Sequence, residues 1–478
     1  MKKIIVKYDY LFVVMIGILY ASCKVPSGTQ VPDLKNMPAS FANVSDSSSS
    51  AELNWRDFFK DKKLVALIDT AVTNNQDVLM AWQDIEIARN RVRARAAALY
   101  PTVEAGGAIS IDKVGRYTST GAGDASTEIK PGKIVPENLT DIDVGFRASW
   151  EVDIWGKLRS AKKAAFAKYL GSIEGKNFVL TNLIAEVANT YYELVALDNQ
   201  LEIIRESIQL QKNQFEIVKV EKQAAVVTEL AVKQFEAQVY NSQGTENEIL
   251  QKITENENKL NFLLGRYPQK FNRDTTALTV QVPGLIKEGI PSELLKNRPD
   301  IKQAELELLS AKWDVKVAQK EFYPSLNISA ALGLQAFKPN YLYKMPESMA
   351  YSLLGDLAGP IINRKAIIAE FKTANAYQVE AMYDYQKAIL NGYMDVSNEL
   401  SNITNLEKIY SFKSKEVETL TTSVDISNDL FKSARANYLE VLTAQRDALA
   451  AKLELIDIRK EQFNSVTSVY KALGGGWK

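Results

Sequence analysis

From Ile142 to Ile154 the chain alternates without a break. Ile142, Val144, Phe146, Ala148, Trp150, Val152 and Ile154 share one parity, and Asp143, Gly145, Arg147, Ser149, Glu151 and Asp153 share the other. A period of two held that long predicts a strand with one apolar and one polar face, because side chains in extended backbone point to opposite sides in turn. Thr102 to Asp112 has the same form, with Val103, Ala105, Ile109 and Ile111 opposite Glu104, Ser110 and Asp112. Ser325 to Leu334 alternates again, setting Leu326, Ile328, Ala330, Leu332 and Leu334 against Ser325, Asn327, Ser329, Ala331 and Gly333. A weaker strand is predicted near Tyr351 to Ala358, ending before Gly359-Pro360. Polar, Gly/Ser/Thr-rich Lys113 to Asp141 and the stretch Phe337 to Glu347 predict exposed loops inside the two strand pairs.

Behind each pair the period lengthens. Val232, Phe235, Val239, Ser242, Glu246, Ile249, Ile253, Asn256, Leu260 and Leu263 step by threes and fours, as do Ile403, Leu406, Tyr410, Lys413, Val417, Leu420, Val424, Ser427 and Phe431. A narrow stripe with polar interruptions is a coiled-coil seam. The helical regions Trp155 to Gly265 and Lys365 to Leu473 are each expected to fold back once, near Gln223 to Thr228 and Ala434 to Asn437. Arms of roughly 50 residues at 1.5 Å per residue would each reach about 75 Å.

The plan is written twice. Asn74 to Pro101 overlies Asn297 to Pro324 without a gap, and Asn74, Asp77, Ala81, Ala88, Val92, Tyr100 and Pro101 recur as Asn297, Asp300, Ala304, Ala311, Val315, Tyr323 and Pro324. In each copy a charged, Ala-rich helix runs into Tyr-Pro, where proline disfavours helix in the residue before it. The first of these helical stretches, Trp55 to Leu99, is expected to break near Thr73-Asn74-Asn75. A repeated helix-then-strand unit predicts a pseudo-symmetric fold. Pro268, Pro283 and Pro291 mark a connector between the halves.

Composition narrows the chemistry. With 478 residues, 46% of them hydrophobic, the chain can bury a large core. Lys plus Arg and Asp plus Glu are equal at 58 each, which gives no basic face for nucleic acid. Histidine is absent, removing the commonest general base and the commonest zinc ligand. Cys23 is the only cysteine and follows Lys2, Lys3, Lys7, the apolar stretch Leu11 to Leu19 and the small residues Ala21-Ser22. That is a secretory signal whose apolar run is short for a transmembrane helix. The junction resembles a lipobox, with Tyr20 where leucine is commonest, so acylation of Cys23 is expected. Residues 24–50, with several prolines and ending in Asp46-Ser-Ser-Ser-Ser50, read as a flexible tether. No enzyme, cofactor or metal site is expected.

Alternating strands with long polar loops suit a transmembrane barrel as well as a soluble antiparallel sheet. Four strand candidates are too few to close a barrel, which takes about eight or more. Open edges in lipid would leave backbone groups unsatisfied. A barrel reading therefore requires several chains, whose paired helices would roll into a tube. The fold class expected is mainly α with a transmembrane β-barrel, built from two pseudo-repeats.

Trp55 to Ala81, Arg298-Pro299-Asp300-Ile301, Phe322-Tyr323-Pro324-Ser325-Leu326, Tyr438 to Arg446 (YLEVLTAQR) and Ala472-Leu473-Gly474-Gly475-Gly476-Trp477 resemble the TolC-like outer-membrane efflux proteins, in particular the lipoprotein branch serving resistance–nodulation–division pumps. The resemblance covers essentially the whole mature chain. It implies a homotrimer with a twelve-stranded barrel, a periplasmic α-barrel of twelve helices, a periplasmic adaptor, an inner-membrane pump and lipid of the outer membrane as partners, and export of small molecules such as drugs. The corresponding division is 1–22 signal, 23–50 anchored tether, 51–266 first repeat, 267–292 connector and 293–478 second repeat. The family usually has glycine at its hairpin tips, where this chain has Ala225 and Ala434. Its acidic aperture positions match Glu440 and Thr443, and Asp425 and Asp429 offer either a further acidic patch or a solvated helix face. Arg89 to Arg95 reads as a solvent or lumen face rather than an anion site. Trp150 and Trp155 belong either to an interfacial aromatic belt or to packing at a strand–helix corner, and Gly474 to Gly476 is a C-terminal stop. A protein-secretion duct and a lipid-anchored coiled-coil scaffold are the alternatives; sustained alternation argues against the scaffold.

Overall fold

A computed structural model describes residues 50–276, 278, 289–359, 364–433 and 435–477, with positions 28, 32, 33, 37, 38, 40 and 41. The signal segment, Cys23 and Ala434 lie outside the described residues. In chain order the elements are α1 (Trp55–Phe58), α2 (Lys62–Asn74), α3 (Gln76–Ala97), β1 (Thr102–Asp112), α4 (Ser119–Asp124), β2 (Glu128–Lys130), β3 (Lys133–Ile134), β4 (Leu139–Val152), α5 (Lys157–Gln223) and α6 (Glu229–Leu263). There follow α7 (Leu294–Asn297), α8 (Pro299–Lys320), β5 (Ser325–Ala336), α9 (Pro339–Leu342), β6 (Met349–Ala358), α10 (Lys365–Lys432) and α11 (Tyr438–Ala472).

The duplication read from Asn74 and Asn297 is present in the backbone. Helices α3 and α8 have 22 residues each, α5 and α10 have 67 and 68, and α6 and α11 have 35 each. The fold-back points fall where the breaks in the seams placed them. The arms, however, are not equal lengths of about 50 residues: each outgoing helix is nearly twice as long as its return. The return helix ends early because a glycine follows it in the left-handed region, Gly265 at φ 67° and Gly474 at φ 90°. The remaining length of α5 packs against α8, where the Ser310 hydroxyl donates to the Ala164 carbonyl at 3.0 Å.

Two compact units can be distinguished, one built on 87–169 and 307–382, the other on 33–86, 170–306 and 383–478. In the first, one antiparallel sheet runs in the order β1-β4-β5-β6. Three loop expectations need correction. Lys113 to Asp141 contains α4 and the β2–β3 hairpin, β4 begins at Leu139 rather than Ile142, and Phe337 to Glu347 contains α9. The Thr118 hydroxyl accepts the Gly121 N–H at 3.1 Å, so a local cap makes a helix in a stretch too polar to betray one.

The second unit holds the main core. Trp55, Phe58, Leu64 and Ile68 pack with Val187, Leu194 and Ile204 of α5, Leu260 of α6 and Phe463 and Tyr470 of α11. The expected break at Asn75 is there, and a second one at Phe59 to Asp61 is added. Asp61 caps α2 by accepting the Lys63 N–H at 2.7 Å, and it also accepts the Tyr191 hydroxyl. Burial, with that hydrogen bond, pushes the Tyr191 hydroxyl well above the ordinary phenol range, so it remains a donor. In the connector Arg273 is held by Asp198 and Glu257. The tether is less free than its composition suggests at the described positions. Gln386 of α10 donates to the Asp33 carbonyl at 2.9 Å, and Phe41 stacks on Tyr393 with centroids 5.4 Å apart.

Candidate functional site

Register makes the sheet two-faced. Ala105 lies opposite Phe146, Phe146 opposite Leu332 and Leu332 opposite Tyr351, and the same parity carries Val103, Ile109, Val144, Trp150, Ile328, Leu353 and Leu357. The other face carries Glu104, Asp112, Asp141, Asp143, Arg147, Glu151, Asn327, Gln335, Ser352 and Asp356, with Leu354 as an apolar exception. In a soluble sheet the apolar face would be covered. Here Phe146 is 60% exposed, Ile109 73% and Leu353 78%. Both outer strands, β1 and β6, have a free hydrogen-bonding edge. A face of this kind suits contact with lipid, and edges of this kind, among the described residues, are open to pairing with further strands.

One level of the polar face is nearly bare. Gly106, Gly145, Gly333 and Ala350 are neighbours across the four strands. A Cβ on Gly145 would lie 2.5 Å from the Gly333 Cα, so the two backbones approach more closely than any side chain permits. Arg147 reaches over this level to Asp143, its Nη2 2.7 and 2.6 Å from the two carboxylate oxygens. An i,i+4 pair of opposite charges about a glycine, on one parity of a strand, was the sequence signal for this arrangement, and parity reading alone passed over it.

The two tryptophans pack at the strand–helix corners. Trp150 donates to the Leu99 carbonyl at 3.0 Å, and Trp155 to the Pro324 carbonyl at 2.7 Å while stacking on Tyr323. The turn into α5 is further held by Asp153, which accepts the N–H groups of Leu158 and Arg159 at 3.0 and 2.9 Å. Burial opposes ionisation of Asp153, but these bonds and the Arg159 guanidinium outweigh it and hold the carboxyl below its usual range. Arg91, Arg93 and Arg95 lie on exposed positions of α3.

In the second unit the four aperture candidates gather at one hairpin end. Asp425 and Asp429 are exposed on the last turns of α10, and Asp429 lies 3.6 Å from Lys432. Glu440 is exposed in the first turn of α11, and Thr443 is half-buried one turn on. Glu440 is also a capping residue. Asn437 accepts the Glu440 N–H at 3.1 Å, and the Glu440 carboxylate accepts the Asn437 N–H at 3.3 Å. This reciprocal box satisfies two otherwise orphaned donors. Asn437-Tyr-Leu-Glu440 before an apolar stretch was its legible signature. At the other tip Ala225 adopts φ 59°, the left-handed conformation glycine favours. An apolar cluster joins the two hairpin ends, with Leu442 of α11 packed on Val218, Val232 and Phe235. Among the described residues no group of acidic side chains is arranged to hold a metal.

Comparison with known proteins identifies the family. The family model for outer membrane efflux proteins matches residues 67–266 and 290–475. The solvent efflux pump outer membrane protein SrpC of Pseudomonas putida is 27% identical over 427 residues, 88% of this chain and 87% of its own. The probable outer membrane lipoprotein SilC of Salmonella typhimurium is 25% identical over 433 residues, 90% and 89% of the two chains. A crystal structure of CusC, at 24% identity, shares the fold with a TM-score of 0.81 over 95% of this chain and 100% of that one. The chain belongs to the outer membrane efflux protein family.

Proposed function

We propose that three copies of this chain close a twelve-stranded barrel in the outer membrane and a twelve-helix tube below it. Together they form the passive exit duct of a tripartite system exporting small molecules such as drugs. The observation that carries this reading is the two-faced sheet: a continuous apolar face left exposed, a polar face opposite it, and an unpaired strand at each edge. An even number of strands per chain lets β6 of one copy meet β1 of the next antiparallel, so three copies close without a parallel pair. The loops Lys113 to Asp141 and Phe337 to Glu347 then face outward, since long barrel loops lie outside.

In this arrangement the hairpin end carrying Asp425, Asp429, Glu440 and Thr443 forms the periplasmic aperture and meets a periplasmic adaptor, which links the duct to an inner-membrane pump. Cys23, acylated after signal removal, anchors the chain to the inner leaflet of the same membrane, a reading supported by the likeness to SilC. Reconstitution of the purified full chain in a planar bilayer tests the duct directly. Stepwise single-channel conductance is expected; a coiled-coil scaffold would leave the bilayer silent. Mass spectrometry of the mature N-terminus tests the anchor, which fails if the first residue is not Cys23 or carries no acyl mass.

A further inference from the structure

We propose that Asp143 is the residue that keeps the barrel interior receptive to cations, by holding Arg147 flat against the wall. This rests on the reading that the polar face lines the lumen. Arg147 is the only basic residue in the four barrel strands, facing the carboxylates Glu104, Asp112, Asp141, Asp143, Glu151 and Asp356. A free arginine at this level, repeated by symmetry, would project three guanidinium groups into the conduit. The structure gives the side chain somewhere else to lie. The bare level at Gly145, Gly333 and Ala350 forms the floor of a hollow of about 220 Å³, bounded by Asp143, Arg147, Gln335 and Ser352. Both oxygens of Asp143 engage Arg147 Nη2 across that floor. Glycine is required beneath, because a Cβ on Gly333 would lie 2.5 Å from the Val144 carbonyl oxygen.

Asp143 is half shielded while Arg147 remains largely exposed, with side-chain exposures of 34% and 62%. The guanidinium therefore stays within reach of passing solutes but is neutralised in place. Losing Asp143 releases the cation to swing into the lumen, narrowing it and favouring anions, because low-dielectric walls focus the field of a fixed charge. Asp143 and Arg147 are thus specificity-determining residues for what traverses the barrel: with the arm tethered cationic solutes are favoured over anionic ones, and freeing the arm shifts the balance toward anions.

Ala331, directly opposite Arg147 on the neighbouring strand, is a place to read the local potential. The full chain carrying Ala331→Cys is treated from outside with anionic and cationic thiosulfonate reagents, and modification at that position is followed by peptide mass. With Asp143 and Arg147 intact, the cationic reagent should react faster. Adding Asp143→Asn should raise the anionic rate about tenfold, a typical gain from a focused charge, and adding Arg147→Gln as well should abolish the gain. Asp356→Asn is the charge-matched control, because Asp356 also lies two levels from Ala331, on its other neighbouring strand. If neither reagent reaches Ala331→Cys, the polar face does not line a watery lumen and the underlying reading falls. If labelling occurs but Asp356→Asn raises the anionic rate as much as Asp143→Asn, or the gain survives Arg147→Gln, only net charge matters and the tethered arm is wrong.

Discussion

The two repeats share a backbone and differ in how each is closed. In the first, Asn75 donates through Nδ2 to the Leu263 carbonyl at 3.0 Å, tying the start of α3 to the end of α6. In the second, the residue in the same place is Arg298, and it donates through Nη1 to the Ala472 carbonyl at 3.0 Å, tying the start of α8 to the end of α11. Arg298 goes further, engaging Asp300 at 2.7 Å and Asp395 of α10 at 3.1 Å. Burial works against its charge, but Asp300 and Asp395 more than compensate and raise its pKa further above the ordinary value. The hairpins differ in the same sense. Helix α5 still buries Ile204, Ile208 and Val218 along its distal part, whereas α10 buries Leu406 and, among its described residues, no hydrophobic side chain after that. One half is held by its core. The other is pinned by charge at Arg298, while exposed hydrophobic side chains occur on both outgoing helices, Leu210 and Val220 on α5 and Phe412 and Ile426 on α10.

The largest effect should come from that pin. Arg298→Ala leaves Asp300 and the Ala472 carbonyl without their buried partner, so a loss of about 3 to 5 kcal/mol is expected. Asn75→Ala removes a neutral cap and tie, for about 1 to 2 kcal/mol. Arg298→Lys should not rescue, since an ammonium cannot reproduce the two-pronged contact with Asp300. Heat denaturation of the solubilised protein measures all three. Equal losses for Asn75→Ala and Arg298→Ala would erase the contrast between the repeats.

Next come the glycines that end the return helices. A Cβ at Gly265 would lie 2.3 Å from the Asn74 carbonyl oxygen, and one at Gly474 2.6 Å from the Asn297 carbonyl group. Each alanine adds left-handed strain to a steric clash, together about 2 to 4 kcal/mol. If Gly474→Ala is tolerated while Gly265→Ala is not, the second closure rests on Arg298 rather than on close backbone contact.

A smaller change of opposite sign is expected at the first tip. Ala225 at φ 59° sits where glycine carries no Cβ penalty, so Ala225→Gly should stabilise the free hairpin by up to about 1 kcal/mol. Slower hydrogen exchange in Glu221 to Thr228 would bear this out, and unchanged or faster exchange would mean that the strain is absorbed elsewhere.

These features were unequally visible in the sequence. Local patterns were legible: alternation placed β1 at its observed bounds, and the gapless match of Asn74 to Asn297 located α3 and α8. Gly265 and Gly474 were readable as stops, though not as contacts with Asn74 and Asn297. The break at Asp61 rests on a local cap, Asp61 on the Lys63 N–H, that the sequence reading passed over; only its second partner, Tyr191, lies 130 residues away. The Arg298 pin was hidden, since Arg298 could be quoted as part of a motif while its partner Asp395 lies 97 residues on. Of the aperture candidates, Glu440 and Thr443 came from the family resemblance and Asp425 and Asp429 from their spacing of one turn, while the capping signature Asn437-Tyr-Leu-Glu440 was legible but went unread. Unequal arms were missed because a seam marks the pairing of two helices and not where either one stops.

The smallest effect tests the hairpins at matching rungs. Arg205 meets Glu246 across the first hairpin and Lys413 meets Glu454 across the second, each at 2.7 Å and each closing a separation of 41 residues. Each rung pairs a shielded with an exposed partner, Glu246 at 24% with Arg205 at 56% and Lys413 at 16% with Glu454 at 59%, but Lys413 also touches Glu416 and so holds two carboxylates. Double-mutant cycles should therefore give a few tenths of a kcal/mol for Arg205–Glu246 and up to about 1 kcal/mol for Lys413–Glu454, both falling with added salt. Their pH behaviour separates them more cleanly. Hydrogen bonds to Glu416 and Glu454 raise the Lys413 pKa above that of the unfolded chain. Its contribution is complete below the unfolded value and is lost as pH climbs through the folded one. A guanidinium group does not titrate over that range, so the first rung should not respond. Lys413→Arg should then flatten the alkaline loss of the second hairpin, followed by hydrogen exchange along α10. A loss that persists unchanged in Lys413→Arg would assign the alkaline sensitivity to another group and leave the two rungs equivalent.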